Sequence, residues 1–357
     1  MNNYVPFLKF KVNEIGALSM LSSPLKKITY PFLDLPKKDA MSELAFLAMI
    51  AKAKTAFHRH LKEFPAVFLD NYDIDDSITV AGAENYSAVI DSFGDCTAFV
   101  PIVALDRTQS RNDLVFQAKV AGRIAGNTIA IRLQAEDIQS FALVEAELVA
   151  LQAQGAGLFD FWILIIDNRV CLNVNESVRS AQINRFLTLA AGKINISTVI
   201  IAGSSIPASI SELMKVLSEV HHPRPELSIY RQVASAAPHP SIHLGDYTVV
   251  SPLYSDINIP AEAMQNVIAA KTIYTHGDFH YIIRGGALKT HARGRLQYND
   301  IAGHITVQPF YRGIHYSYGD LFLHEKAQHL GKGVTPGSIL KPTINSHITF
   351  MLTSFPG

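Results

Sequence analysis

Only two cysteines, Cys96 and Cys171, occur among the 357 residues, and they form no CxxC pair. A disulfide framework has nothing to be built from, and two buried free thiols in a reducing compartment are expected instead. No excess of either charge exists: Lys+Arg and Asp+Glu are 31 each. A balanced chain of this kind sets up no broad field to draw in nucleic acid or an anionic membrane. No apolar run approaches the roughly 18 residues of a membrane span. The start, MNNYVPFLKFKVNE, has no basic segment leading into an apolar one, so a cytoplasmic protein is expected. Internal repeats and low-complexity stretches are likewise missing. With 48% apolar and 17% charged residues, the chain has ample material for a buried core.

What is present is alternation. In Thr128–Gln134 (TIAIRLQ), Ile129, Ile131 and Leu133 share one strand face, while Ala130, Arg132 and Gln134 share the other. A helix-like stretch, 137–154, follows. Similar short strands read at Tyr4–Phe10 (with Pro6 an awkward member), 28–34, 66–70, 98–106, 161–167, 198–203 and 226–232. Helical patterns separate them, at 12–21, 39–64, 83–93, 113–124, 176–191 and from Pro207 to Val220. Eight strand-then-helix units predict an α/β fold, a (β/α)8 TIM-like barrel over residues 1–235. No GxGxxG follows the first strand, which argues against a dinucleotide-binding sheet. Residues 236–357 then form a C-terminal mixed α+β extension packed on the barrel. Short strands are expected there at 273–276, 280–284, 321–325 and 346–352. Ten of the fourteen histidines fall between His239 and His347, without metal-ligand spacing.

Barrel chemistry sits at the C-terminal strand ends. Those ends read Lys9, Asp34, Asp70, Asp106 with Arg107, Arg132 with Gln134, Asp167, Ser204 with Ser205, and Tyr230 with Gln232. Each aspartate alone reads as an ordinary turn or helix cap. Together they predict a pocket of mixed sign, suited to a polar, zwitterionic or phosphorylated ligand. Three readings compete inside it. The carboxylates would hold a divalent cation while Lys9 and Arg132 take a phosphate. Alternatively, Lys9 would form a Schiff base with a cofactor whose phosphate rests on Gly203-Ser204-Ser205. In the bland reading, the carboxylates pair with Lys9, Arg107 and Arg132 in a structural network. No motif names a cofactor or a metal.

Further along, Leu244-Gly245-Asp246-Tyr247-Thr248, Ile273-Tyr274-Thr275, Tyr281-Ile282-Ile283-Arg284-Gly285-Gly286, Ser317-Tyr318-Gly319-Asp320 and Ser346-His347-Ile348-Thr349 occur in order. With the opening Tyr4-Val5-Pro6-Phe7-Leu8-Lys9-Phe10-Lys11, Arg132, Asp167 and Ser205-Ile206-Pro207, this series resembles the beta protein family of phages and bacterial genomes. The chain departs from that pattern at Ser338 and at His280-Tyr281, where the family has tryptophans. The resemblance implies a phage or antiviral-defence setting and supplies no reaction.

The functional expectation is therefore a barrel that binds or processes a small phosphorylated or nucleotide-like ligand. Lys9 and Arg132 would hold its anionic part and Asp167 or Asp70 would act as base or metal ligand. Gln134, Asp34, Asp106, Ser204 and Ser205 would contact the ligand, and Asp246-Tyr247 would close the site. The rival expectation is a non-catalytic module of a phage-conflict system that binds a protein partner. Neither involves a membrane, and nucleic acid is disfavoured by the charge balance.

Overall fold

The computed structural model describes residues 4–236, 241–254 and 268–355. Eight parallel strands close a barrel in sequence order. They are β1 (Tyr4–Lys9), β2 (Phe32–Asp34), β3 (Val67–Asp70), β6 (Phe99–Ala104), β7 (Thr128–Gln134), β8 (Phe161–Val170), β9 (Thr198–Ser204) and β11 (Ser241–Asp246). Two short strands, β4 (Thr79–Val80) and β5 (Ala83–Glu84), form a ribbon after β3. The (β/α)8 expectation holds. On β7, Ile129, Ile131 and Leu133 face the outer core beneath the helices, while Ala130 and Arg132 face inward, as the alternation requires.

The barrel interior is apolar up to a definite level. Phe7, Phe32 and Phe68 lie in register on β1, β2 and β3, with ring centroids 4.4 and 6.0 Å apart. Gly245 of β11 completes this layer, because a Cβ there would sit 2.6 Å from the Phe7 ring. Two residues further along the same strands come Lys9, Asp34 and Asp70, again in register. The side-chain period of two therefore stacks a layer of charge directly on a layer of phenylalanine.

Closure differs from expectation at the last unit. Glu226–Gln232, expected as strand eight, belongs to the helix Pro225–Ala236, and the closing strand is β11. Leu227, Ile229, Tyr230 and Val233 are buried at helical spacing, behind Pro225 in the first turn. The helix expected up to Val220 is also absent. Pro207 and the capping box of Ser209 and Glu212 allow one 3-10 turn, Ile210–Glu212. The chain then enters β10 (Ser218–Pro223), which pairs outside the barrel with β13 (Phe279–Ala287). A strand before residue 235 thus belongs to the extension's sheet, and a barrel strand lies after it.

β13 also pairs with β12 (Ala269–His276), so the two short strands expected at 273–276 and 280–284 form, joined as a hairpin. The two later strands do not. Leu321–Glu325 lies within the helix Tyr318–Ala327, capped by Ser317, and Ser346–Leu352 within the helix Leu340–Thr353. The β-branched run around Ile344, Ile348 and Thr349 imitates a strand. Burial of every residue from Pro342 to Met351 overrides that propensity. This last helix lies beside β1 and the helix Val12–Ser19, and Asn345 Nδ2 donates to the Ala17 carbonyl at 3.0 Å. It fills the outer-ring place expected of an eighth barrel helix.

Candidate functional site

Arg132 is the centre of the charged layer. Its Nη1 donates to Asp34 Oδ1 at 2.7 Å and Asp70 Oδ2 at 2.8 Å. Its Nη2 donates to Asp167 Oδ2 at 2.6 Å and to the Tyr247 hydroxyl oxygen at 3.0 Å, and Tyr247 in turn donates to Asp167 at 2.6 Å. The guanidinium lies over the Phe32 ring on one side, 4.8 Å from its centroid, and the Tyr72 ring on the other, at 4.6 Å. Arg132 and Asp167 have no solvent exposure, and Asp34 and Asp70 have 1% or less. Three carboxylates from three separate strands thus converge on one guanidinium, out of water.

The three are not equivalent. Burial raises the Asp34 carboxyl to about 6, with Asp73 and Asp70 adding repulsion that Arg132 only partly offsets. Burial would raise Asp70 too, but Arg107, Arg132 and Arg111 together outweigh it and hold it below the usual carboxylate range. Asp167 is likewise held low against its burial, by Arg132, Arg169 and the Tyr247 hydroxyl. Asp34 is the one carboxylate of the layer able to change protonation near neutral pH.

Lys9 stands at the edge of this layer. Its Nζ donates to Asp73 Oδ2 at 2.8 Å and lies 3.5 Å from the Tyr254 ring centroid. Burial lowers its pKa, and Asp73 opposes the shift. Arg169 completes the rim, since β8 runs beyond Asp167 with a register shift that leaves Arg169 at φ +52°. Its backbone N–H donates to Asp167 Oδ1 at 2.9 Å, and its side chain donates to the Pro252 carbonyl. The Arg169 Nη1 and Gln134 Nε2 donors are buried and have no partner among the described residues. Asp73, which holds Lys9, lines a cavity of about 330 Å³ together with Lys37, Lys38, Asp39, Met41 and Ser77 among others.

Sequence reasoning placed Lys9, Asp34, Asp70, Arg132, Gln134, Asp167 and Tyr247 at the mouth, and the structure brings them together there. Asp106 is exposed at the margin, paired to Arg107 at 2.7 Å, while Arg107 also reaches Asp70 at 3.1 Å. Ser204 uses its hydroxyl locally, accepting from the Ile206 N–H at 3.1 Å. Ser205 Oγ is buried and has no partner among the described residues, but no long helix starts behind it. Tyr230 and Gln232 belong to the helix Pro225–Ala236, where Gln232 bonds Ser180 and Ser228. Asp246 faces away from the mouth, towards Tyr4, Arg224 and His347. Missed from the sequence were Tyr72, Asp73, Arg111, Arg169 and Tyr254. The run Asp70-Asn71-Tyr72-Asp73 and the matching Asp167-Asn168-Arg169 carried the available signal: polarity continuing past a strand end.

Among the described residues, no three His, Cys, Asp or Glu side chains are arranged to hold a metal ion. The place between Asp34, Asp70 and Asp167 is taken by the Arg132 guanidinium. A model of the family described as Beta protein matches residues 4–353. The chain belongs to the beta protein family. No curated protein and no solved structure matches it. What this beta protein can do chemically therefore rests on its mouth: a charged, largely dry rim with one titratable carboxylate and unused donors. Among the described residues, no helix is long and apolar enough to cross a membrane.

Proposed function

We propose that this beta protein binds or processes a small phosphorylated or nucleotide-like ligand at the C-terminal mouth of its barrel, in a phage or antiviral-defence setting. One observation carries the reading. Among the described residues the buried donors Arg169 Nη1 and Gln134 Nε2 have no acceptor, at the mouth where Lys9, Asp34, Arg132 and Asp167 converge, and Asp73, the partner of Lys9, lines a cavity. An orphaned buried donor costs about 1–3 kcal/mol, and an acceptor-rich ligand would recover that. In this reading Lys9 and Arg169 bind the anionic part, and Arg132 fixes the rim. Asp34, with its raised pKa, is the general acid or base, while Asp70 and Asp167 stay ionised and hold Arg132 in place.

A thermal-shift screen of nucleotides, phosphosugars and divalent ions tests this. A ligand at a hundredfold excess over its Kd stabilises the native state by about 2.7 kcal/mol, which such a screen detects. Asp167→Asn should lower the melting temperature of the free protein and abolish the ligand's shift. A screen in which nothing shifts the wild type removes the small-ligand reading. The alternative is then a protein-binding module with the barrel as scaffold, a reading favoured by how completely Arg132 satisfies its three carboxylates. In a pull-down from the native host, that alternative requires a stoichiometric partner unaffected by Arg132→Ala.

A further inference from the structure

Asp73 has a different standing from the other rim carboxylates. Asp34, Asp70 and Asp167 lie in barrel strands and bond Arg132. Asp73 lies in the turn after β3 and does not bond Arg132. Its Oδ2 accepts from Lys9 Nζ at 2.8 Å, and its Oδ1 lies 3.9 Å from Arg169 Nη2, too far for a hydrogen bond. One carboxylate thus faces two cations carried by β1 and β8 and engages only one of them closely. Arg169 Nη1 remains buried with no acceptor among the described residues. Asp73 also lines the cavity of about 330 Å³, together with Lys37 and Lys38. Neither of those lysines forms an ion pair among the described residues, and both are exposed.

We propose that Asp73 is a resident stand-in for a ligand phosphate: Lys9 and Arg169 form an oxyanion subsite, and the ligand enters it from the cavity by displacing the Asp73 carboxylate. This rests on the reading of the mouth as a ligand site and adds the chemistry of the group recognised. Charge favours phosphate over a carboxylate. Asp73 is the carboxylate that Lys9 bonds and that Arg169 faces at 3.9 Å, and once it is displaced a dianion restores more of the attraction to the two cations than a monoanion does. Geometry favours it as well, because a tetrahedral group has oxygens for Lys9 Nζ and for both Arg169 Nη atoms at once. The freed Asp73, on its turn, would move into the solvent-facing cavity.

Inorganic phosphate is the probe, titrated by calorimetry at constant ionic strength into the wild type, Asp73→Asn, Asp73→Ala, Arg169→Lys and Asp75→Asn. Asp75 lines the same cavity and touches neither cation, so its variant measures the effect of removing a nearby negative charge. Asp73→Asn and Asp73→Ala should each bind phosphate at least fivefold more tightly than wild type. Asp75→Asn should change the affinity less than twofold, and Arg169→Lys should weaken it at least fivefold. Circular dichroism confirms that each variant is folded. Two Asp73 variants are used so that one misfolded protein does not decide the matter. Unchanged or weaker phosphate binding in a folded Asp73 variant overturns the proposal. So does a gain in Asp75→Asn equal to that in Asp73→Asn. Acetate binding as strongly as phosphate to Asp73→Asn overturns the assignment of phosphate. Phosphate tightening in Asp73→Asn, with no nucleotide or phosphosugar bound by any variant, keeps the subsite and removes the wider reading. Ligand binding that is lost in Asp167→Asn but indifferent to Asp73 does the reverse.

Discussion

Two buried polar clusters lie on opposite faces of the barrel wall, and they are built on opposite terms. Inside the mouth, Arg132 gathers Asp34, Asp70 and Asp167, with Arg107, Arg111 and Arg169 close by. Outside, where the extension meets β11, Asp246 accepts from Tyr4 at 2.8 Å, from Arg224, and lies 3.0 Å from His347 Nε2. His347 Nδ1 continues to Thr275 Oγ1 at 2.7 Å, and that hydroxyl reaches His280 Nδ1 at 3.0 Å. The outer cluster joins five elements, β1, β11, β12, β13 and the last helix, by short and mostly neutral links. Burial lowers the pKa of His347, against the pull of Asp246, and of His280, while Asp246 is held at about 2 against its own burial by its contact with His347 and by Arg224. The inner cluster concentrates charge and raises one carboxylate, and Asp73 at its edge lines a cavity. Burial of ionisable groups is common to both. Of the two clusters only the inner one joins a carboxylate raised towards neutral pH to a rim that reaches a cavity, and that combination marks a candidate site.

The comparison breaks most readily at the two arginines. Arg132→Met strands three buried carboxylates and should cost about 3–5 kcal/mol in urea unfolding, or prevent folding altogether. Arg224→Met leaves Asp246 with Tyr4 and His347 and strands one buried carboxylate, Glu226, whose raised pKa eases its neutralisation, so about 1–3 kcal/mol is expected. Equal losses would mean that the two clusters do the same structural work.

A pH series sharpens the contrast. The Asp34 carboxyl is raised in the folded state, so the native protein binds that proton more tightly than the unfolded chain does. Its contribution is fully present below the unfolded value near 4 and is lost as pH rises through about 6. Asn lacks this loss. The stability of Asp34→Asn relative to wild type should therefore rise by about 1–2 kcal/mol between pH 4 and pH 8. A flat difference would show that Asp34 is ionised throughout.

The outer cluster should respond with the opposite sign. A histidine with a lowered pKa takes up a proton more readily in the unfolded chain, so its contribution is lost as pH falls below about 6.5. His347→Gln should reduce the wild-type loss between pH 7.5 and 5.5, by less than about 1 kcal/mol.

Legibility follows the same division. β7 could be read because its two faces differ, aliphatic outward and Ala130, Arg132, Gln134 inward, and a period of two survives any uncertainty about its ends. Asp34, Asp70 and Asp167 were found because each closes an apolar run. Arg169 was missed because it depends on β8 overrunning with a register shift, and Asp73 because it lies on a turn. Two of the misread elements, Glu226–Gln232 and Ser346–Leu352, are helices at the join. In the second, burial of every residue from Pro342 to Met351 hides the amphipathic stripe that would have announced it, whereas in the first Leu227, Ile229, Tyr230 and Val233 keep helical spacing and the short window 226–232 conceals it.

The last helix has a further consequence, for the order of events on the ribosome. Its contact from Asn345 to Ala17 spans 328 residues. Synthesis at about 5–20 residues per second separates the two partners by roughly 15–65 s. Through that interval the helix Val12–Ser19 and its neighbour β1 present an apolar side with no cover. The first strand of the barrel is thus among the last to be fully sheltered, and a nascent chain of this protein is a natural client for a chaperone.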